Sequence, residues 1–287
     1  MSESTILLLF ISGSIIGSYL NVLALRYIPD NKIILTSRTS KGRSHCQSCN
    51  ATLSWYELIP IISFFIQRGR CRHCNQTLIW QYPGIEFITG LLTASIPALF
   101  LSMGVYHQSV TAFYLLTISW ILISYTAIVL SLIDLKHQII PDQCNLLILF
   151  LSGVILATKT VYLSSFSFLG SYANVFLPHP NQLINAITAV IIAIALFGGI
   201  FLLSRGRGIG FGDVKLAIPL AIALGYPDVT LSFSLAFIVG AIIGISLIIR
   251  KEKTLKGAIP FGPFIIIGLY ITIFYGEDLL RWYFSII

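Results

Sequence analysis

Charge is scarce in this sequence. Only 10% of its 287 residues are Asp, Glu, Lys or Arg, against about 25% in an ordinary soluble domain. With 56% hydrophobic residues, there is too little polar surface to wrap a water-facing body, and a large soluble enzyme is excluded. Acidic groups are rarer still, 11 in all, so each can be weighed alone. The first apolar run lacks both the basic start and the small-residue cleavage site of a secretory signal. It reads as a retained span.

What the chain does have is apolar runs of membrane-crossing length. A bilayer core asks for about 20 such residues per helix. Runs fall near 5–25, 84–103, 111–133, 144–163, 183–203, 208–226, 229–249 and 260–275. The reading is an all-α integral membrane protein of about eight transmembrane helices. It divides into a first helix (1–25), a polar loop (26–83) and a helical block (84–287).

The basic residues orient it. If the 26–83 loop is cytoplasmic, that side collects Arg26, Lys32, Arg38, Lys41, Arg43, Arg68, Arg70 and Arg72. It also collects Lys136, Arg205, Arg207, Lys215, Arg250, Lys251, Lys253 and Lys256. Only Lys159 and Arg281 fall elsewhere. This is the positive-inside bias. The net charge of +7 is then a topology signal. No nucleic-acid partner is expected, since that would want a basic face on a soluble domain.

The polar loop carries a repeat. Cys46-Gln-Ser-Cys49-Asn-Ala-Thr-Leu-Ser-Trp55 is echoed by Cys71-Arg-His-Cys74-Asn-Gln-Thr-Leu-Ile-Trp80. Two such pairs suit one tetrahedral zinc with four thiolate ligands, a closed and therefore structural site. The alternatives are a redox pair or free thiols. A cytosolic setting disfavours structural disulfides, and a short polar loop needs a staple. His45 and His73, beside the ligands, are minor alternatives. Cys144, alone at the start of an apolar run, reads as a small packed hydrophobe.

Among the carboxylates, Glu3, Asp30, Asp228, Glu252, Glu277 and Asp278 lie in loops or at termini, where solvated acids are ordinary, and Glu57 lies in the cysteine loop. Asp134 ends an apolar run, a rare place for an acid and a functional candidate; the bland alternative is a pair with Lys136 or His137. Asp142 follows Pro141 and reads as a helix cap. Asp213 lies in Gly208-Ile-Gly210-Phe-Gly212-Asp213. The apolar stretch behind it is too short to span, so the helix is expected to begin near Gly208 and to draw Asp213 about one turn into the membrane. Glu86 is either a first-turn charge or part of a site at the same face. Asp134 and Asp213, at one membrane face on different helices, suggest an aspartic dyad sharing a proton. The rival is a proton-coupled carrier, whose paths also use intramembrane acids. Against it, no inverted repeat is visible and a zinc knuckle has no task there.

These residues, taken in order, resemble the bacterial prepilin peptidases, also called type IV leader peptidases, of the GxGD class of intramembrane aspartic proteases. The match runs from Gly17-Ser-Tyr-Leu-Asn-Val-Leu through Ile59-Pro60, Arg68-Gly69-Arg70-Cys71, Tyr82-Pro83 with Glu86, Ile133-Asp134-Leu135, Ile140-Pro141-Asp142 and Gly210-Phe-Gly-Asp213-Val-Lys215 to Pro260-Phe-Gly-Pro263. The resemblance implies a multi-pass enzyme of the bacterial inner membrane with its active site facing the cytoplasm. It implies cleavage of type IV prepilin or pseudopilin leaders, then methylation of the new N-terminus with S-adenosylmethionine. Asp134 and Asp213 match the catalytic acids. Cys46, Cys49, Cys71 and Cys74 match the zinc ligands. Gly69 and Arg70, with Glu86, are candidates for the methyl-transfer function. Asp142 matches a common residue outside the catalytic pair. A peptidase without methyl transfer is the variant reading. The oligomeric state is not legible.

Overall fold

A computed structural model describes residues 1–29, 44–46, 48–163, 166–251 and 259–286. The basic residues Lys32, Arg38, Lys41, Arg43, Lys253 and Lys256, and the acids Asp30 and Glu252, lie outside the described residues. Eight long helices follow one another: α1 (Glu3–Leu25), α2 (Gln81–Ser102), α3 (Val110–His137), α4 (Asp142–Tyr162), α5 (Gln182–Leu203), α6 (Phe211–Leu224), α7 (Asp228–Ile249) and α8 (Gly262–Ile286). Seven of them are long and apolar enough to cross a membrane. The exception is α6. Its 14 residues rise about 21 Å, short of a core of about 30 Å.

The helices alternate in direction, and hydrogen bonds at one end of the bundle tie three of their termini together. Gln81 Nε2 donates to Asn21 Oδ1 at 2.8 Å, and Lys136 Nζ donates to the Leu25 carbonyl at 3.2 Å. The head of α2 and the tail of α3 therefore both meet the tail of α1. Alpha-1 lies closely on α2 because small residues line the seam: a side chain at Gly17 would come within 2.7 Å of Thr89, and one at Gly13 within 2.9 Å of the Gly90 backbone. Close backbone approach replaces the hydrophobic drive that lipid removes. The core then runs through Ile96, Phe100, Leu116, Trp120, Ile123, Ile148, Ile155, Leu216 and Leu220, all buried. A π-helical turn at Ile194–Gly198 sets Phe197 into a cluster of rings with Phe233, Phe237 and Phe261. That cluster fixes the chain just before Gly262.

Two expectations need correction. The glycine run 208–210 is not helical. Alpha-6 begins at Phe211, with Gly210 as its cap and Asp213 in its first turn. Glycine loses more backbone entropy on entering a helix than any other residue, so the run stays a loop. Asp142 is not a cap either. Pro141 holds that position, and Asp142 is the first helical residue, paired at 2.8 Å with Lys215 of α6. Cys144 is buried, as a small hydrophobe should be.

Candidate active site and four-cysteine centre

Asp134 sits one turn before the end of α3, which stops where Gln138 takes a left-handed conformation and returns its N–H to the Asp134 carbonyl at 2.8 Å. The carboxylate is 4% exposed, and its Oδ2 accepts the Gly262 N–H at 3.1 Å. It pairs with neither Lys136 nor His137 among the described contacts; Lys136 reaches back to α1 instead. Asp213 is 7% exposed, and its Oδ2 accepts the Gly210 N–H at 3.1 Å, closing a capping box on α6.

The two acids are thus built alike. Each is buried, and each has one oxygen held by a glycine N–H from an adjoining loop. Ile140, between α3 and α4, packs against the heads of both α6 and α8: a side chain added at Gly212 would meet its Cβ at 3.1 Å, and one at Gly262 its Cδ1 at 3.5 Å. Gly262, Gly210 and Ile140 as the framework of the acids were not read from the sequence. The Pro260-Phe-Gly-Pro263 motif was the available signal, but only the fold brings it to a residue 128 positions away.

The four cysteines meet as their spacing requires. Their Sγ atoms lie within 4.8 Å of one another, and Cys46 and Cys74 are 3.8 Å apart. A tetrahedron with zinc–sulfur bonds of about 2.3 Å has an edge of about 3.8 Å. The repeat folds as two like knuckles. Cys46 N–H bonds to Ala51 O and Cys71 N–H to Gln76 O, at 3.0 and 2.9 Å. Asn50 and Asn75 take the left-handed turn in each. Backbone N–H groups of Cys49 and Ser48 pull the Cys46 thiol down to about 6. For Cys74 the Gln76 N–H acts in the same sense, but desolvation and the three neighbouring thiols outweigh it and push it up to about 12. One sulfur prefers to be ionised and another does not, as befits four thiols crowded where a cation belongs. The sulfur set fits zinc; His45 and His73 are not in it.

Glu86 joins this unit to the helices. It is buried in the second turn of α2, its Oε2 accepts the Ile61 N–H at 2.7 Å, and Ser18 of α1 hydrogen-bonds to it. A lone first-turn charge is excluded. Gly69 holds a positive φ against the Phe64 ring. Arg70 lines a cavity of about 640 Å³ with Ile66, Gln67, Arg68, Cys71, Arg72 and Asn75. A smaller cleft, about 180 Å³, lies between Ala24, Leu25, Gln81, Leu132, Leu135 and Lys136. It runs from the head of α2, where the cysteine unit is attached, to the residues flanking Asp134.

At the far end of α6 lie Lys159, one of two basic residues outside the positive side of the topology, and Asp228, expected to be an ordinary loop acid. Both are fully buried. Lys159 Nζ donates to the Ala223 and Leu224 carbonyls at 2.8 and 3.0 Å, capping α6, and lies over the rings of Phe166 and Phe168. Asp228 accepts from the Ser167 hydroxyl and, at 2.9 Å, from the Phe168 N–H. A lysine inside an apolar run was the missed signal.

The chain is a multi-pass helical membrane protein with two buried, glycine-held acids and a four-cysteine knuckle. Comparison with known proteins narrows this. Residues 11–100 match the Bacterial Peptidase A24 N-terminal domain, and residues 120–245 match the Type IV leader peptidase family. A prepilin leader peptidase/N-methyltransferase of Aeromonas salmonicida is 31% identical over 245 residues, covering 85% of this chain and 75% of its own. Its namesake in Legionella pneumophila is 32% identical, covering 84% and 75%. That of Bacillus subtilis is 27% identical, covering 96% of both chains. No solved structure matches. The chain belongs to the type IV leader peptidase family, and the carrier reading is set aside.

Proposed function

We propose that this protein cuts the leader from type IV prepilins or pseudopilins with Asp134 and Asp213, and then methylates the new N-terminus. The observation that carries the reading is the matched pair of buried carboxylates, each with one oxygen held by a glycine N–H and the other without a partner among the described residues. Two acids in one dry site do not both ionise, so they share a proton and titrate as a unit. The ionised member takes a proton from a water molecule, and that water attacks the scissile carbonyl. The protonated member donates to the carbonyl oxygen.

The acids face the cytoplasm in this reading, because the ends of α1, α3, α5 and α7 there carry the basic residues. Residues 1–25 form the first span, 26–83 the cytoplasmic loop with Cys46, Cys49, Cys71 and Cys74 on zinc, and 84–287 the peptidase block. Four thiolates leave the metal no open position, so it staples the loop and supplies no nucleophile. Methyl transfer belongs to Gly69, Arg70 and their cavity, where guanidinium and amide groups suit the carboxylate and hydroxyls of S-adenosylmethionine; the donor supplies an electrophilic methyl. Glu86 positions the unit by holding Ile61.

The test is cleavage of a prepilin in membranes, followed by mass spectrometry of the product. Asp134→Asn and Asp213→Asn should each stop cutting, while both variants still methylate a pilin supplied already cut. Wild-type cleavage by either variant refutes the dyad.

A further inference from the structure

The cysteine unit exposes several large apolar side chains. Trp55 is 77% exposed, Trp80 69%, Ile66 64% and Phe65 58%, and Ile62 and Ile79 are exposed beside them. The rings of Phe64 and Phe65 both meet Trp80, at 5.0 and 6.2 Å, so the short helix Ile62–Ile66 and the head of α2 form one surface. Its depth is fixed by Glu86. This residue is the sixth of α2, about 8 Å along the helix, and it holds the Ile61 N–H. The Ile62–Ile66 turn therefore lies alongside the first turns of a membrane-length helix rather than beyond its end. Water there would leave Phe65, Ile66 and Trp80 uncovered. Charge does not oppose this: Arg68, Arg70 and Arg72 stand against Glu57 and against the roughly two negative charges of zinc with four thiolates, which leaves the unit near neutral. Aromatic rings collect at the bilayer–water boundary.

We propose that the Ile62–Ile66 turn, with Trp55, Ile79 and Trp80, is an interfacial anchor that seats the cysteine unit in the headgroup–acyl boundary of the phospholipid bilayer. Glu86 pins the unit on its inner side and lipid covers its outer side. The placement rests on the membrane-embedded α2 and on neither reaction. Its consequence for both is that a cut pilin, with its apolar helix still in the bilayer, meets the second unit without leaving the surface.

The test uses the zinc-loaded full-length protein in nanodiscs of phosphatidylcholine and phosphatidylglycerol, with acyl chains brominated near the headgroup. Subtracting the emission of Trp55→Phe from wild type isolates Trp55, which lies outside every span. Its emission should fall about two-fold or more in brominated discs. Phe65→Asp combined with Ile66→Asp should abolish the quenching. Unquenched Trp55 in discs that do quench the remaining tryptophans overturns the anchor. Neither readout requires catalysis, so failure of the proposed reactions leaves the result legible.

Discussion

Gly262→Ala isolates the geometry of one acid. The alanine Cβ would lie 2.7 Å from Asp134 Oδ2, where ordinary contact begins at 3.4 Å. The N–H that holds Asp134 survives the substitution, so only position changes. The atom in the way is the end of a movable side chain, and the carboxylate can retreat by about 0.7 Å, so folding suffers little, at the low end of the ~1–3 kcal/mol typical of overpacking. Catalysis suffers more, since a displacement of about 1 Å at a reacting group costs up to about 100-fold. A fall in kcat of about 10- to 100-fold is expected, equivalent to ~1.4–2.7 kcal/mol of barrier. The assay is prepilin cleavage by the purified protein in lipid, with thermal unfolding measured on the same sample. Gly153→Ala, where an added Cβ meets nothing within 4 Å, is the control and should cut normally. Methyl transfer to a pre-cut pilin should be unchanged in both. Wild-type kcat for Gly262→Ala would show that Asp134 does not act from the position seen here, and would refute the reasoning.

Three further outcomes follow from the same contacts. Cys46→Ser with Cys71→Ser should release zinc, measured by metal analysis, and abolish methyl transfer while cleavage falls less. Zinc binding to the stripped protein should strengthen from pH 6 to pH 8: Cys74, held up at about 12, must lose its proton to bind, whereas Cys46, at about 6, is already a thiolate at neutral pH. Each proton expelled gives roughly a tenfold gain per pH unit, readable by calorimetry in buffers of different ionisation heat. Lys159→Met should cost about 1–3 kcal/mol for each of the Ala223 and Leu224 carbonyls that it leaves buried without a donor at the end of α6; the melting temperature should fall accordingly in a thermal unfolding measurement.

The spans were legible because apolar length alone marks them, and the knuckles because C-x-x-C-N repeats with its turn residues in register. Asp134 and Asp213 stood out because acids are few and these two border apolar runs. What escaped was set by distant partners. The Asp142 carboxylate looked like a cap, yet Lys215, far along the chain, claims it. Asp228 looked solvated until Ser167 and Phe168 closed over it. The start of α6 was misplaced because span length was weighed above the poor helix propensity of glycine. Glu86 stayed ambiguous because its partner, the N–H of Ile61, belongs to the backbone and leaves no mark in residue type.

Ile140 is a wedge shared by the supports of the two acids. The heads of α6 and α8, at Gly212 and Gly262, both close on this one side chain, and a methyl group at Gly212 would crowd it. The spacing of the two carboxylates is then tied to the bulk of a single aliphatic residue that carries no proton. Trimming or enlarging it should shift one acid relative to the other while leaving both chemically intact.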